Sequence, residues 1–174
     1  IDGRTYAFEW YEDKGAIEEA IPVSVEAGHE TPGIDFSLES GSVSGAVRGW
    51  DGPSLAGVDV YVHDGYFHLV GSAATGADGS YTVKGIRPGD YKVYFDPTWM
   101  RENQGGDYTG EYYDDKMSFH AADPVTVASD VTDIDAVLEA SSTIAGTVTS
   151  GGSPAGGVFV HAYKAGDPTY WVSY

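Results

Sequence analysis

The chain has 174 residues, with 27 Asp and Glu against nine Lys and Arg, a net charge of −18 and no cysteine. That surface repels nucleic-acid phosphates and anionic lipid, and the missing thiols exclude disulfides, thiolate zinc sites and cysteine nucleophiles. A hydrophobic content of 41% suits a globular chain, and no apolar run reaches the roughly eighteen residues a membrane helix needs, so neither nucleic acid nor membrane insertion is expected.

In chain order, Lys14 to Ala20 reads as a single short turn rather than a helix, and Lys116 to Ala122 reads the same way. Between them the dominant pattern is alternation. Val43, Gly45 and Val47 share one face, then Val58, Val60 and Val62, then Tyr81 and Val83, then Tyr91, Val93 and Phe95. Val125 and Val127 follow, and then Ile134, Ala136 and Leu138. Period-two patterns of this kind mark strands with one buried face. Asp51-Gly52-Pro53, Asp64-Gly65, Asp78-Gly79 and Arg87-Pro88-Gly89-Asp90 supply the turn residues between them. Many short strands at even spacing predict an all-β fold, an antiparallel Greek-key β-sandwich of about seven strands. The connection from Asp96 to Asp123 is long, and a loop of that length is either organised by its own aromatic side chains or functional.

The chain also repeats itself. Trp10-Tyr11-Glu12-Asp13-Lys14 returns as Tyr112-Tyr113-Asp114-Asp115-Lys116, and Pro22-Val23-Ser24-Val25 as Pro124-Val125-Thr126-Val127. Ile34 to Glu39 returns as Ile134 to Glu139, Val43 to Val47 as Ile144 to Val148, and Gly57 to Val60 as Gly157 to Val160. A period of about one hundred residues is the size of an ordinary domain. The expected organisation is therefore a tandem cut out of phase: residues 1–39 as the C-terminal part of a preceding repeat, 40–140 as a complete sandwich, and 141–174 as the N-terminal part of a following one. Each incomplete part leaves unpaired edges and an uncovered apolar face. Neighbouring repeats of a longer array can complete them, or the tail of one copy can complete the head of the next.

The phrases Gly57-Val58-Asp59-Val60-Tyr61-Val62, Ala77-Asp78-Gly79-Ser80-Tyr81-Thr82-Val83 and Gly85 to Val93 resemble the carboxypeptidase regulatory-like domain, a relative of the B-type repeats of surface adhesins and of transthyretin. The resemblance implies a seven-stranded prealbumin- or Ig-like sandwich, repeated in tandem in a secreted or cell-surface bacterial protein. Adhesin repeats of this kind often carry an isopeptide bond from a Lys on the first strand to an Asn or Asp on the last. Ser42 to Arg48 holds no Lys, and the only Asn in the chain is Asn103, so that bond is not expected here.

No nucleophile elbow, zinc-protease helix or phosphate-binding loop occurs, and His29, His63, His68, His120 and His161 are scattered, so the chain is not expected to be an enzyme. No resident cofactor is expected. Asp107, Glu111, Asp114 and Asp115 are the candidate ligands for calcium, which wants six to eight hard oxygens; Glu9, Glu12 and Asp13 repeat three of those positions. The alternative is a solvated acidic loop. Trp50, Tyr66, Phe67 and Trp99 fall in or near predicted loops and could stack against sugar faces, the alternative being packing. The expected role is a non-catalytic extracellular stalk, spacer, filament or adhesin segment, whose partners are neighbouring repeats or other copies of the chain. The second reading is a carbohydrate-binding accessory module of a secreted glycan-degrading enzyme, with a glycan as partner.

Overall fold

The computed structural model describes residues 6–15 and 17–162 in full and residues 163–164 and 167–173 as backbone. The chain divides into two compact units between Ala140 and Ser141.

The first unit is built on two facing sheets. One has the order β4 (Ser80–Ile86), β1 (Gly41–Gly49), β8 (Ala136–Leu138). The other runs β3 (Leu69–Ala74), β2 (Asp59–His63), β5 (Gly89–Asp96). The outer edge of β5 is shared: the two-residue β6 (Glu111–Tyr112) pairs with Tyr94 and Phe95, and β7 (Val125–Val127) pairs with Gly89 to Tyr91. The chain crosses between sheets after β1, β3, β4 and β7, the Greek-key connection expected of the pattern.

Alternation decides what fills the space between the sheets. Val43 stands opposite Val83, Val60 opposite Phe95 and Val62 opposite Val93, all with their side chains inward. Ile86, Val127 and Leu138 close the core. Full burial of such a side chain stabilises the fold by about 1.5–3 kcal/mol. Thr75 ties the β1–β2 connection to the end of β3: its hydroxyl donates to the Leu55 carbonyl at 2.6 Å and accepts the Val58 N–H at 2.9 Å. The turns follow the sequence. Asp78 Oδ1 accepts the N–H and hydroxyl of Ser80 while Gly79 takes a φ of 79°, and Asp64 Oδ1 caps the N–H groups of Tyr66 and His68.

Three features depart from the sequence expectation. β3 carries no large apolar residue on its inward face, where the small Gly71 and Ala73 lie against the core. A helix, α1 (Thr98–Gln104), occupies the long connection; it is seven residues long and buries only Met100, too little to print a helical period. The sheets are also not wholly antiparallel: β1 and β8 pair in parallel, Val47 opposite Ala136 and Gly49 opposite Leu138. That exception fixes the ends of the module. β1 spans nine residues, so its ends stand about 27 Å apart. Ser40 precedes its start, while Trp50 N donates to the Leu138 carbonyl at 3.0 Å and Tyr108 bridges Ala140 beside its finish.

In the second unit, β9 (Thr149–Ser150) pairs antiparallel with β10 (Ser153–Pro154) across Gly151-Gly152, and Ala155 N donates to the Val148 carbonyl at 2.9 Å. This reproduces the Leu55 N to Val47 carbonyl bond of the complete module. β11 (Ala162–Lys164) and β12 (Asp167–Ser173) form a second antiparallel pair.

Candidate functional site

The four candidate calcium ligands do not converge. Glu111 lies opposite Phe95 on β6, so its side chain shares the inward face and is buried. Asp107, Asp114 and Asp115 are exposed on the connections either side. Among the described residues no group of three or more His, Asp or Glu is placed to hold a metal ion. What the cluster does instead is electrostatic: burial first, then the charges of Asp115, Glu139 and Asp114, push the Glu111 carboxyl up to about 7. Glu9, at the repeat-equivalent position, also turns a carboxylate oxygen inward; its Oε1 is buried with no hydrogen-bond partner among the described residues.

The four aromatic candidates fall into two pairs. Trp50 lies just past the end of β1 and Trp99 packs over Gly57, just before β2 begins. Tyr66 and Phe67 lie in the turn after β2 ends, so the length of β2 separates them from the tryptophans. Tyr66 is 84% exposed. Phe67 stacks on His63 at 4.8 Å and meets Phe119 edge-on at 5.0 Å, which gives its ring a packing role. The structure therefore supplies no single platform made of all four.

A better-defined site lies in residues 6–39, the head. Trp10 and Lys14 exchange backbone hydrogen bonds of 2.8 and 3.1 Å, closing a small loop in which Asp13 has a φ of 57°. Tyr112 and Lys116 exchange the same pair at 2.6 and 2.9 Å, with Asp115 at 55°. The repeated phrase thus closes with the same pair of backbone hydrogen bonds in both places. Arg87, between β4 and β5, holds the first loop: Nη1 donates to the Phe8 and Lys14 carbonyls at 3.2 and 2.8 Å, and Nη2 to the Asp13 carbonyl at 2.6 Å. The sequence marked Arg87 only as part of a turn; a guanidinium fork reaching three backbone carbonyls of a distant loop leaves no spacing signal.

Beside this loop an open cavity of about 380 Å³ is lined by Tyr11, Glu12, Asp13, Gly33, Asp35, Phe36 and Ser37. Phe36 sits at its wall, edge-on to Tyr11 at 5.8 Å. The walls combine carboxylates, aromatic rings and exposed backbone. Among the described residues, no helix is long and apolar enough to cross a membrane.

No family model matches this chain, and no curated protein matches it. Two solved structures are similar in backbone trace. One is a chain of a C-terminal interface mutant of a type II cohesin–X-dockerin complex from Acetivibrio cellulolyticus, at 18% identity and a TM-score of 0.40, over 67% of this chain and 65% of that one, less than two thirds of its length. The other is the 5-hydroxyisourate hydrolase of Klebsiella pneumoniae, at 13% identity and a TM-score of 0.38, over 53% of this chain and 84% of that one. Neither carries a function to this chain.

Proposed function

We propose that residues 40–140 are one link in an end-to-end series of β-sandwich modules of the carboxypeptidase regulatory-like, B-type adhesin kind, and that the chain works outside the cell as a non-catalytic spacer or stalk. The observation that carries this reading is the placement of Ser40 and Ala140 at opposite ends of β1, which follows from the parallel β1–β8 pairing. A module entered at one pole and left at the other extends an array with each copy; a module with adjacent ends folds it back. The recurrence of the Trp10–Lys14 and Tyr112–Lys116 loops, and of the Leu55–Val47 bond at Ala155–Val148, supports a serial repeat. The net charge of −18 supports it too, since like-charged modules resist collapse onto one another.

Small-angle X-ray scattering tests this directly. Chains carrying one and two copies of residues 40–140 should differ in maximum dimension by at least the length of β1, about 27 Å. An unchanged maximum dimension overturns the serial reading.

A further inference from the structure

One wall of the head cavity, Asp35 to Ser37, corresponds to the segment that runs along β1 in residues 40–140. There, Asp135 Oδ1 accepts the Ala46 N–H at 2.8 Å and Ile134 N donates to the Ser44 carbonyl at 3.1 Å. Ala136 stands opposite Val47 in parallel register. In the head the same positions are Ile34, Asp35 and Phe36, and Asp35 and Phe36 line the open cavity. The seat is built, and no strand lies in it: residues 34–38 pair with nothing as a strand among the described residues.

The tail carries a strand of matching pattern. Ile144-Ala145-Gly146-Thr147-Val148 repeats Val43-Ser44-Gly45-Ala46-Val47. Val43 and Val47 are fully buried, whereas Ile144 is 85% and Val148 40% exposed. Gly146 is the most telling residue. A Cβ on Gly45 would stand 2.2 Å from the Ile134 carbonyl oxygen, so β1 lies against that backbone only because the position is glycine. A Cβ on Gly146 would meet nothing within 4 Å, and the residue is not in the left-handed region, so nothing among the described residues requires glycine there. Its requirement is met if the strand lies against a second Ile134-type carbonyl.

Charge and geometry choose the occupant. Between Tyr6 and Glu39 nine carboxylates face one lysine, while no Asp or Glu falls between Ser141 and Lys164. Two heads repel each other; a head and a tail do not. The head is held at Arg87, beside the start of β1, and Ala140 lies beside its finish. We propose that residues 143–149 of one copy of this chain lie in the head cavity of a second copy, parallel to residues 34–38, with Val148 opposite Phe36 and Gly146 against the Ile34 carbonyl. The bond from Ala155 N to the Val148 carbonyl uses the other edge of the strand, as Leu55 does beside Val47, and leaves this edge to the partner. The contact is heterologous, so each copy can both give and receive a strand and the assembly grows by addition. The proposal rests on the serial-module reading and names the joint between links.

The absence of cysteine makes the register readable. A mixture of Phe36→Cys and Val148→Cys chains should form a disulfide dimer on mild oxidation, because opposed residues on paired strands fall within the Cα separation of about 4.4–6.8 Å that a disulfide spans. Ser37→Cys mixed with Val148→Cys, one residue out of register and on the other face, should form none. In sedimentation, the mass of the unaltered chain should rise with concentration, whereas Gly146→Val should stay monomeric with an unchanged melting temperature. A wild-type monomer at every concentration overturns the proposal and leaves the seat to a β1-type strand of an adjoining repeat or of another protein. A disulfide formed equally out of register, or formed only within single chains bearing both cysteines, overturns it as well. The scattering increment of residues 40–140 involves neither substituted segment, so either conclusion can fail without the other.

Discussion

Leu138 and Leu38 occupy the same place in one repeated phrase, yet Leu138 is wholly buried and Leu38 is 45% exposed. The same contrast separates Val127 from Val25 and Val60 from Val160. The turns and loops do not show it, since the Trp10–Lys14 loop closes as the Tyr112–Lys116 loop does. What is settled within a few residues forms in both regions. Burial is reached only where paired strands cover the residue, as β1 covers Leu138. The sandwich and the head thus separate local hydrogen bonding, which both form, from burial, which only the sandwich achieves.

Substituting the paired leucines tests this most strongly. Leu138→Ala should lower the stability of the first unit by about 2–5 kcal/mol, the cost of a core cavity. Leu38→Ala should change it by less than about 0.5 kcal/mol, as for an exposed surface site. Thermal melts of the two variants check the difference, and equal losses would mean that the head is already packed.

Glu111 offers the next largest effect. Its carboxyl is raised from 4.5 to about 7, so the folded chain holds a proton that the unfolded chain releases. Its favourable contribution is present below about 4.5 and is lost as the pH climbs through about 7. Glu111→Gln should flatten that part of the stability profile and raise stability at pH 8 by about 1–3 kcal/mol. Denaturant melts at pH 5 and pH 8 measure it; equal effects at both would show that the buried charge is not the cause.

Tyr81 ties β4 to the segment that leads into β8. Its hydroxyl donates to the Ile134 carbonyl at 2.7 Å, and burial, more than Asp135 or Tyr113, drives its ionisation well above the ordinary tyrosine range. Tyr81→Phe should cost about 1 kcal/mol, seen as an earlier midpoint in urea at constant slope. Smallest on the melt is Arg87→Ala, which removes three hydrogen bonds to the head loop and leaves the core intact. It should leave the main transition within about 0.5 kcal/mol of wild type while hastening proteolysis at residues 8–14. Unchanged cleavage there would show that something besides the guanidinium holds the loop.

The parts of the fold readable beforehand are those in which one residue in two is buried. β1, β2, β4, β5, β7 and β8 all print that stripe, because each has a core face. β3 prints no apolar stripe because the positions it turns to the core are the small Gly71 and Ala73, and α1 is too short to print a helical one. The direction of the β1–β8 pair was not legible either, because parallel and antiparallel partners leave the same alternation. At the site level, the acids were visible as a cluster in sequence, but the inward turn of Glu111 separates it from exposed Asp114 and Asp115. The aromatic set was visible as residues near loops, but the length of β2 divides it. The head cavity left one trace, the return of Gly45 as Gly146, whose meaning depends on the carbonyl that lies against the first of them.

The parallel pairing of β1 with β8 has a mechanical corollary. Tension applied between Ser40 and Ala140 pulls β1 back along its own axis toward its start and β8 forward along its axis toward its end. The hydrogen bonds between the two strands are then loaded together, in shear, instead of one after another as in unzipping. Separation requires the bonds from Val47 to Gly49, and the Val43–Val131 bridge behind them, to give way in concert. A pull between Ser40 and Ala140 is thus borne along the strand axis, by bonds that share the load.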